Sequence, residues 1–255
     1  MFFGLTNSPA TFQTMMNEIF HIEVSSGQVL IYLDNILIFS RDLTEHHHQV
    51  HNVLVRLQEN KLYLKPEKCQ FDVLETEYLG MIISEGKVWM DPVKVEGIID
   101  WPAPLSKPDV QSFLGFCNFY CRFIRNFADI ACPLHVLTSN VPFNWTADCQ
   151  TSFDKLKESV TSAPVLTIPN NDGPFRLETD ASQYAVGAVL AQKQDHQWHP
   201  IAFLSKALNP TQRNYEIYDR ELLSIMLALQ EFRKYLMNAK EVFEVWTDHS
   251  NLQYF

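Results

Sequence analysis

Apolar positions change their period along this chain, and each change predicts an element. Phe12, Met15, Met16, Ile19 and Phe20 recur at helical spacing behind Asn7-Ser8-Pro9, a capping residue followed by a proline suited to a first helical turn. A helix is expected over 9–20. VLIYLDNILIFS then sets two β-rich runs about Asp34-Asn35, turn formers that tolerate positive φ, and this predicts a hairpin with Asp34 at its tip. Val50, Val53, Leu54 and Leu57 repeat at i, i+3, i+4, i+7 and predict an amphipathic helix from 43 to 60. Short strands are expected at 62–65, 77–83 and 87–90, the last two turning at Glu85-Gly86.

The prolines of WPAPLSKPDV forbid a continuous helix and place a linker at about 101–108. Beyond it Val110, Phe113, Leu114, Phe116 and Cys117 suit a buried helix, residues 133–137 a short one, and Phe153, Leu156 and Val160 another. After residue 170 the texture becomes strand, strand, strand, helix, strand. PFRLETDAS reads as a strand ending at Asp180, AVGAVLAQK and HPIAFLS as two more, and VFEVWTDHS as a strand ending at Asp248. Tyr215, Tyr218, Leu222, Ile225 and Leu229 mark the helix between them. A second domain is expected from about 170 onward.

Composition narrows the class. With 255 residues, 46% hydrophobic and 20% charged, the chain is neither a disulfide-stapled miniprotein nor a disordered polymer. No uncharged apolar run approaches the roughly 18 residues of a membrane span, and MFFGLTNSPATF lacks a basic signal region. An intracellular setting, cytoplasmic or nuclear and not secreted, is expected, with no membrane partner. The 5 cysteines form no CxxC pair, so reduced thiols are expected rather than a zinc site or a disulfide framework. A net charge of −10 excludes a basic nucleic-acid glove; contact with a phosphate backbone would rest on local Lys/Arg facets or on cations.

Candidate chemistry lies in the acids. Asp180 and Asp248 each follow an apolar strand in the same frame, Thr-Asp-Ala-Ser and Thr-Asp-His-Ser, and Glu221 lies on the intervening helix beside its apolar stripe. In α/β sheets functional groups collect at the carboxyl ends of strands. Three converging carboxylates would repel one another unless hard cations such as Mg²⁺ or Mn²⁺ neutralised them, and two such ions can drive phosphodiester hydrolysis. By spacing alone, Asp180 and Asp248 as plain strand-end caps and Glu221 as a surface acid account for the pattern as well.

The segments FGLTNSPATFQ, YLDNILIFS, LKPEKCQF, YLGMIIS, FLGFCNFYCRFI, FNWTADC, LETDASQYAVGAVLAQ and NYEIYDRELLSIMLAL change that balance. In kind and order, over nearly the whole chain, they resemble the Pol polyprotein of gypsy-type long-terminal-repeat retrotransposons. The resemblance implies an α+β palm, thumb and connection fragment of a reverse transcriptase, followed by an α/β ribonuclease H-like domain with a mixed sheet. The implied division is palm and thumb over 1–100, connection over 101–169 and ribonuclease H-like domain over 170–255.

The resemblance also assigns residues. Phe3, Gly4 and Gln13 are implied near the incoming nucleotide and template. Tyr32-Leu33-Asp34-Asn35 corresponds to the family's YxDD turn, with Asp34 as a catalytic metal ligand and Asn35 in place of the second aspartate. Asp180, Glu221 and Asp248 correspond to the first three acids of the nuclease metal site, for Mg²⁺ or Mn²⁺, while Ser182, Gln192, Ser205 and Tyr215 are implied to touch the hybrid backbone or its 2′-hydroxyls. Implied partners are a template-primer, an RNA:DNA hybrid, deoxynucleoside triphosphates in the intact enzyme, and the rest of Pol. The family's fingers, its other polymerase aspartate, its fourth nuclease acid and its last helix are expected outside 1–255. The isolated chain is therefore expected to be inactive as a polymerase and impaired as a nuclease. The competing reading is a catalytically dead retroelement remnant that keeps only the fold and weak nucleic-acid binding.

Overall fold

The computed structural model describes residues 6–170, 172–237 and 239–248. The chain forms two compact units, one up to Leu79 and the other from Gly80 onward.

In the first unit, helix α1 (Ser8–Ile19) begins at the proline, as its pattern predicts, and stops at Phe20, whose ring is fully buried. A second, short helix, α2 (His21–Ser25), follows, which no sequence signal marked. Strands β1 (Val29–Tyr32) and β2 (Asn35–Ile38) pair antiparallel with Tyr32 opposite Asn35. The turn is therefore Leu33-Asp34, and the residue forced into the left-handed region is Leu33 at φ 54°, not the expected Asp34 or Asn35. Helix α3 (Leu43–Glu59) is capped by Asp42, whose carboxylate accepts from the Glu45 N–H at 2.9 Å. It buries Val53 and Leu57 against Met16, Phe20 and Val29, while Leu54 faces outward. Residues 62–65 form no strand. A strand β3 (Glu75–Tyr78) ends where Leu79 and Gly80 take φ of 52° and 73°, which splits the expected strand over 77–83.

The second unit opens with β4 (Met81–Ser84) and β5 (Lys87–Met90), which turn at Glu85-Gly86 as expected. Asp91 then caps helix α4 (Pro92–Ile99), a short element that the apolar pattern does not predict. The proline-rich stretch holds no helix or strand before α5 (Lys107–Phe119), and helices α6 (Phe127–Thr138) and α7 (Ala147–Thr161) follow. Phe113, Phe123, Leu134 and Leu156 form the centre of their shared core. A two-residue strand, β6 (Leu166–Thr167), pairs with β5.

The remaining strands are β7 (Phe175–Ala181), β8 (Ala185–Gln194) and β9 (Gln197–Ala207). Helices α8 (Pro210–Arg213), α9 (Ile217–Glu231) and α10 (Arg233–Leu236) lead to β10 (Glu244–Trp246). The sheet order is β10-β7-β8-β9, with β10 parallel to β7 and the other pairs antiparallel. It is a mixed sheet. Phe175, Leu177, Ala188 and Leu190 on one face pack against Ala228, Phe232 and Leu236. The expected divide at residue 170 falls inside this compact unit.

Helix α9 buries a different face from the expected one. Its buried stripe is Glu221, Ser224 and Ala228, while Tyr218, Leu222 and Met226 are exposed. Small residues let the helix lie close to the sheet, and the acid is on the buried stripe itself rather than beside it. All five cysteines are free thiols, and among the described residues no helix is long and apolar enough to cross a membrane.

Candidate metal centre

Strand register brings the two aspartates level. Trp246 of β10 lies opposite Glu178 of β7 in a parallel pair. Two residues further along each strand direction are Asp248 and Asp180, so both acids emerge at the same carboxyl-terminal edge. The Thr179 hydroxyl donates to the Trp246 carbonyl at 3.4 Å and ties the two strands just before that edge.

Glu221 enters from α9 below this edge. Its Oε1 accepts from the Ala181 N–H at 3.2 Å and its Oε2 from the Thr247 hydroxyl at 3.4 Å. One partner follows Asp180 and the other precedes Asp248, so the carboxylate is held between the two strand ends. One ligand oxygen from each of Asp180, Glu221 and Asp248 lies within 4.8 Å of the others. No other such group of metal-ligating side chains occurs among the described residues.

Glu221 is 2% exposed, whereas Asp180 and Asp248 open to solvent. Burial, and then the charges of Asp248 and Asp180, push the Glu221 carboxyl up to about 7, against the opposing pull of the Ala181 N–H and the Thr247 hydroxyl. Three hard oxygen donors, unfavourable together without a counter-charge, fit a divalent cation of the oxygen-seeking class. No sequence signal marked the Ala181 amide as a partner of Glu221. The repeated Thr-Asp frame contained Thr247, but nothing in the sequence tied it to Glu221.

In the first unit Asp34 is exposed at the hairpin turn, and the exposed Asn35 opens β2 beside it. Gln13 braces this turn from α1: its Nε2 donates to the Ile31 carbonyl at 3.2 Å and its Oε1 accepts from the Leu33 N–H at 2.6 Å. Tyr32 is 54% exposed. Phe3 and Gly4 lie outside the described residues.

The residues expected to touch a hybrid divide. Gln192 is fully buried, and its amide binds the 170–173 loop: Oε1 accepts from the Asn170 N–H at 3.0 Å and Nε2 donates to the carbonyls of Asn170, Asp172 and Gly173. It offers no surface to a ligand, and the expected contact is corrected to loop anchoring. Ser205 Oγ accepts from the Ala128 N–H at 2.8 Å, capping α6. The Ser182 hydroxyl sits within the β7–β8 turn. Tyr215 is 42% exposed.

Residues 1–83 match the family described as reverse transcriptase (RNA-dependent DNA polymerase), and residues 145–245 match the RNase H-like domain found in reverse transcriptase. The chain is 38% identical over 257 aligned residues to the retrovirus-related Pol polyprotein from transposon 297 of Drosophila melanogaster. That alignment covers 99% of this chain and 23% of the relative. The Tf2-7 transposon polyprotein of Schizosaccharomyces pombe is 34% identical over 98% of this chain and 19% of its own length. The chain thus spans about a quarter or less of these relatives. Among solved structures, a foamy viral protease-reverse transcriptase dRH in complex with double-stranded DNA superposes with a TM-score of 0.79 at 22% identity, covering 99% of this chain and 44% of the other. A foamy viral protease-reverse transcriptase in complex with an RNA/DNA hybrid gives 0.78 at 21%, covering 99% and 34%. At that identity the likeness establishes the fold: reverse-transcriptase α+β parts followed by an α/β ribonuclease H-like domain.

Proposed function

Because this chain belongs to the reverse transcriptase and ribonuclease H region of gypsy-type retrotransposon Pol polyproteins, we propose that Asp180, Glu221 and Asp248 form the cation site of a nuclease acting on the RNA strand of an RNA:DNA hybrid. The observation that carries this reading is the convergence of three carboxylates within 4.8 Å at one sheet edge. Mg²⁺ or Mn²⁺, when bound there, would supply the charge that activates a water and stabilises a leaving 3′ oxygen.

The chain's own residues divide the remaining work. Glu221, fixed by the Ala181 N–H and the Thr247 hydroxyl, orients one oxygen toward the two aspartates. Asp180 and Asp248 face solvent and meet an arriving phosphate backbone, which an uncompensated acidic edge would repel.

For the first unit the proposed role is a palm part in the whole Pol protein, with Asp34 at the cation, Tyr32 beside it, and a template-primer and deoxynucleoside triphosphates as partners. Asn35 offers a neutral amide where a second acid would add charge, and this favours the alternative of a retroelement remnant that holds the palm fold without nucleotide addition. Incubating an RNA:DNA hybrid with the chain in Mn²⁺ tests the nuclease reading. Wild type should release RNA fragments and Asp248→Asn should not; equal cleavage by both would remove the acids from the chemistry. A primer-extension assay with Mg²⁺ and with Mn²⁺ tests the remnant reading of the palm, which template-dependent product would sink.

A further inference from the structure

Resting on that cation-site reading, we propose that the first turn of α6 belongs to the scaffold of the acidic site, with Asp129 a positioning residue that acts on Asp180 through Ser182. In the strand register Asp180 lies opposite Gly187, and Gly187 opposite Ser205, so the three make one row across β7, β8 and β9. The start of α6 rests on that row. The Ala128 N–H donates to Ser205 Oγ at 2.8 Å. Asn126, in the left-handed region at φ 54°, lies so close over Gly187 that a Cβ there would come within 2.6 Å of its Oδ1.

Ser182 follows Asp180 by two residues and has one hydroxyl proton to give. Two acceptors compete for it: Asp129 Oδ1 at 2.7 Å and the Ala185 carbonyl at 3.0 Å. The charged acceptor at the shorter distance takes the proton. That sets the hydroxyl so that its lone pairs receive the N–H groups of Tyr184 at 3.0 Å and Ala185 at 2.8 Å. The turn joining β7 to β8 is thereby closed around a side chain whose orientation α6 dictates.

A second clamp comes from α9. Arg220 Nη1 donates to the Ser182 carbonyl at 2.8 Å, one residue before Glu221. The turn after Asp180 is held from both sides, by Asp129 and by Arg220. Such a hold has a purpose specific to this site, because the carboxylates of Asp180, Glu221 and Asp248, with ligand oxygens within 4.8 Å of one another, repel. Asp129 resists that repulsion and keeps Asp180 beside Glu221.

Two measurements on the full chain test this: hydrogen exchange at the Tyr184 and Ala185 amides without metal, and calorimetric titration with Mn²⁺. Asp129→Ala should speed exchange at both amides about tenfold and weaken Mn²⁺ binding several-fold. Asp129→Asn retains a neutral Oδ1 acceptor and should recover part of both losses. Wild-type exchange and affinity in Asp129→Ala, or an Asp129→Asn variant as impaired as alanine, would overturn the proposal. Should Asp129→Ala fail to fold, Ser182→Ala should show the same two losses, and wild-type behaviour there would equally overturn it. If wild type binds no Mn²⁺, the cation reading fails, while the exchange rates still decide the role of Asp129.

Discussion

The Ala181 N–H donates to Glu221 Oε1 at 3.2 Å, so the acid on α9 is tied to the residue directly after Asp180. The spacing of two carboxylates is thereby set by a backbone hydrogen bond, which does not involve the Asp180 side chain. Asp180→Asn keeps the side-chain shape and this bond but removes one of three charges. It is expected to abolish the calorimetric heat of Mn²⁺ titration while leaving the far-ultraviolet circular dichroism unchanged. Identical titrations for wild type and Asp180→Asn would show that the triad holds no cation.

Glu221 binds its proton more tightly in the folded chain, at about 7, than its ordinary value of 4.5. Between those values the folded state carries more protons than the unfolded one, so its stability falls as pH rises through that window. The loss is roughly 1–3 kcal/mol after screening. Urea unfolding of the metal-free chain should therefore give a higher midpoint at pH 5 than at pH 7.5. Glu221→Gln should flatten this difference and be the more stable protein at pH 7.5; a wild-type slope retained in that variant would assign the pH dependence to other groups.

Gly173 has φ 95°, and a Cβ there would lie 2.2 Å from the Lys193 carbonyl oxygen. Backbone cannot move aside as a side chain can, and the same loop is held by the buried Gln192 amide. Gly173→Ala is expected to cost about 2–4 kcal/mol from strain and overpacking. Chemical denaturation would read this directly, and a midpoint at the wild-type value would contradict the close approach.

Gln13 spans the hairpin turn, with hydrogen bonds at both the Ile31 carbonyl and the Leu33 N–H. Gln13→Ala should cost about 1–2 kcal/mol and raise the exchange rate of the Leu33 amide, with little effect on exchange in the second unit. Gln13→Glu keeps an acceptor for Leu33 but no donor for Ile31, so it should protect the Leu33 amide better than alanine does. Unchanged Leu33 exchange in Gln13→Ala would sink the bracing role.

Local pattern determined much of this protein. Helical spacing announced α1, α3, α5 and α7, alternation and turn residues announced the hairpin around Asp34, and the twin Thr-Asp frames marked Asp180 and Asp248. These features are legible because period, caps and turn chemistry act between residues close in sequence. The pattern failed where an element was short or was set by its neighbours, as with α2, α4 and β6. It also failed on α9, where Tyr218 and Leu222 looked like the core face and Glu221, Ser224 and Ala228 took that place. Only close packing on the sheet favours small residues there, and only the strand ends supply the donors that let a carboxylate be buried. That the three acids meet was implied by the strand-end frames and the family resemblance; tertiary structure alone decided that Thr247 and the Ala181 amide hold Glu221, that Gln192 anchors a loop rather than faces a ligand, and that Asp129 reaches Ser182. Each depends on which strand lies beside which, and register across residues far apart in the chain leaves no periodic trace in the sequence.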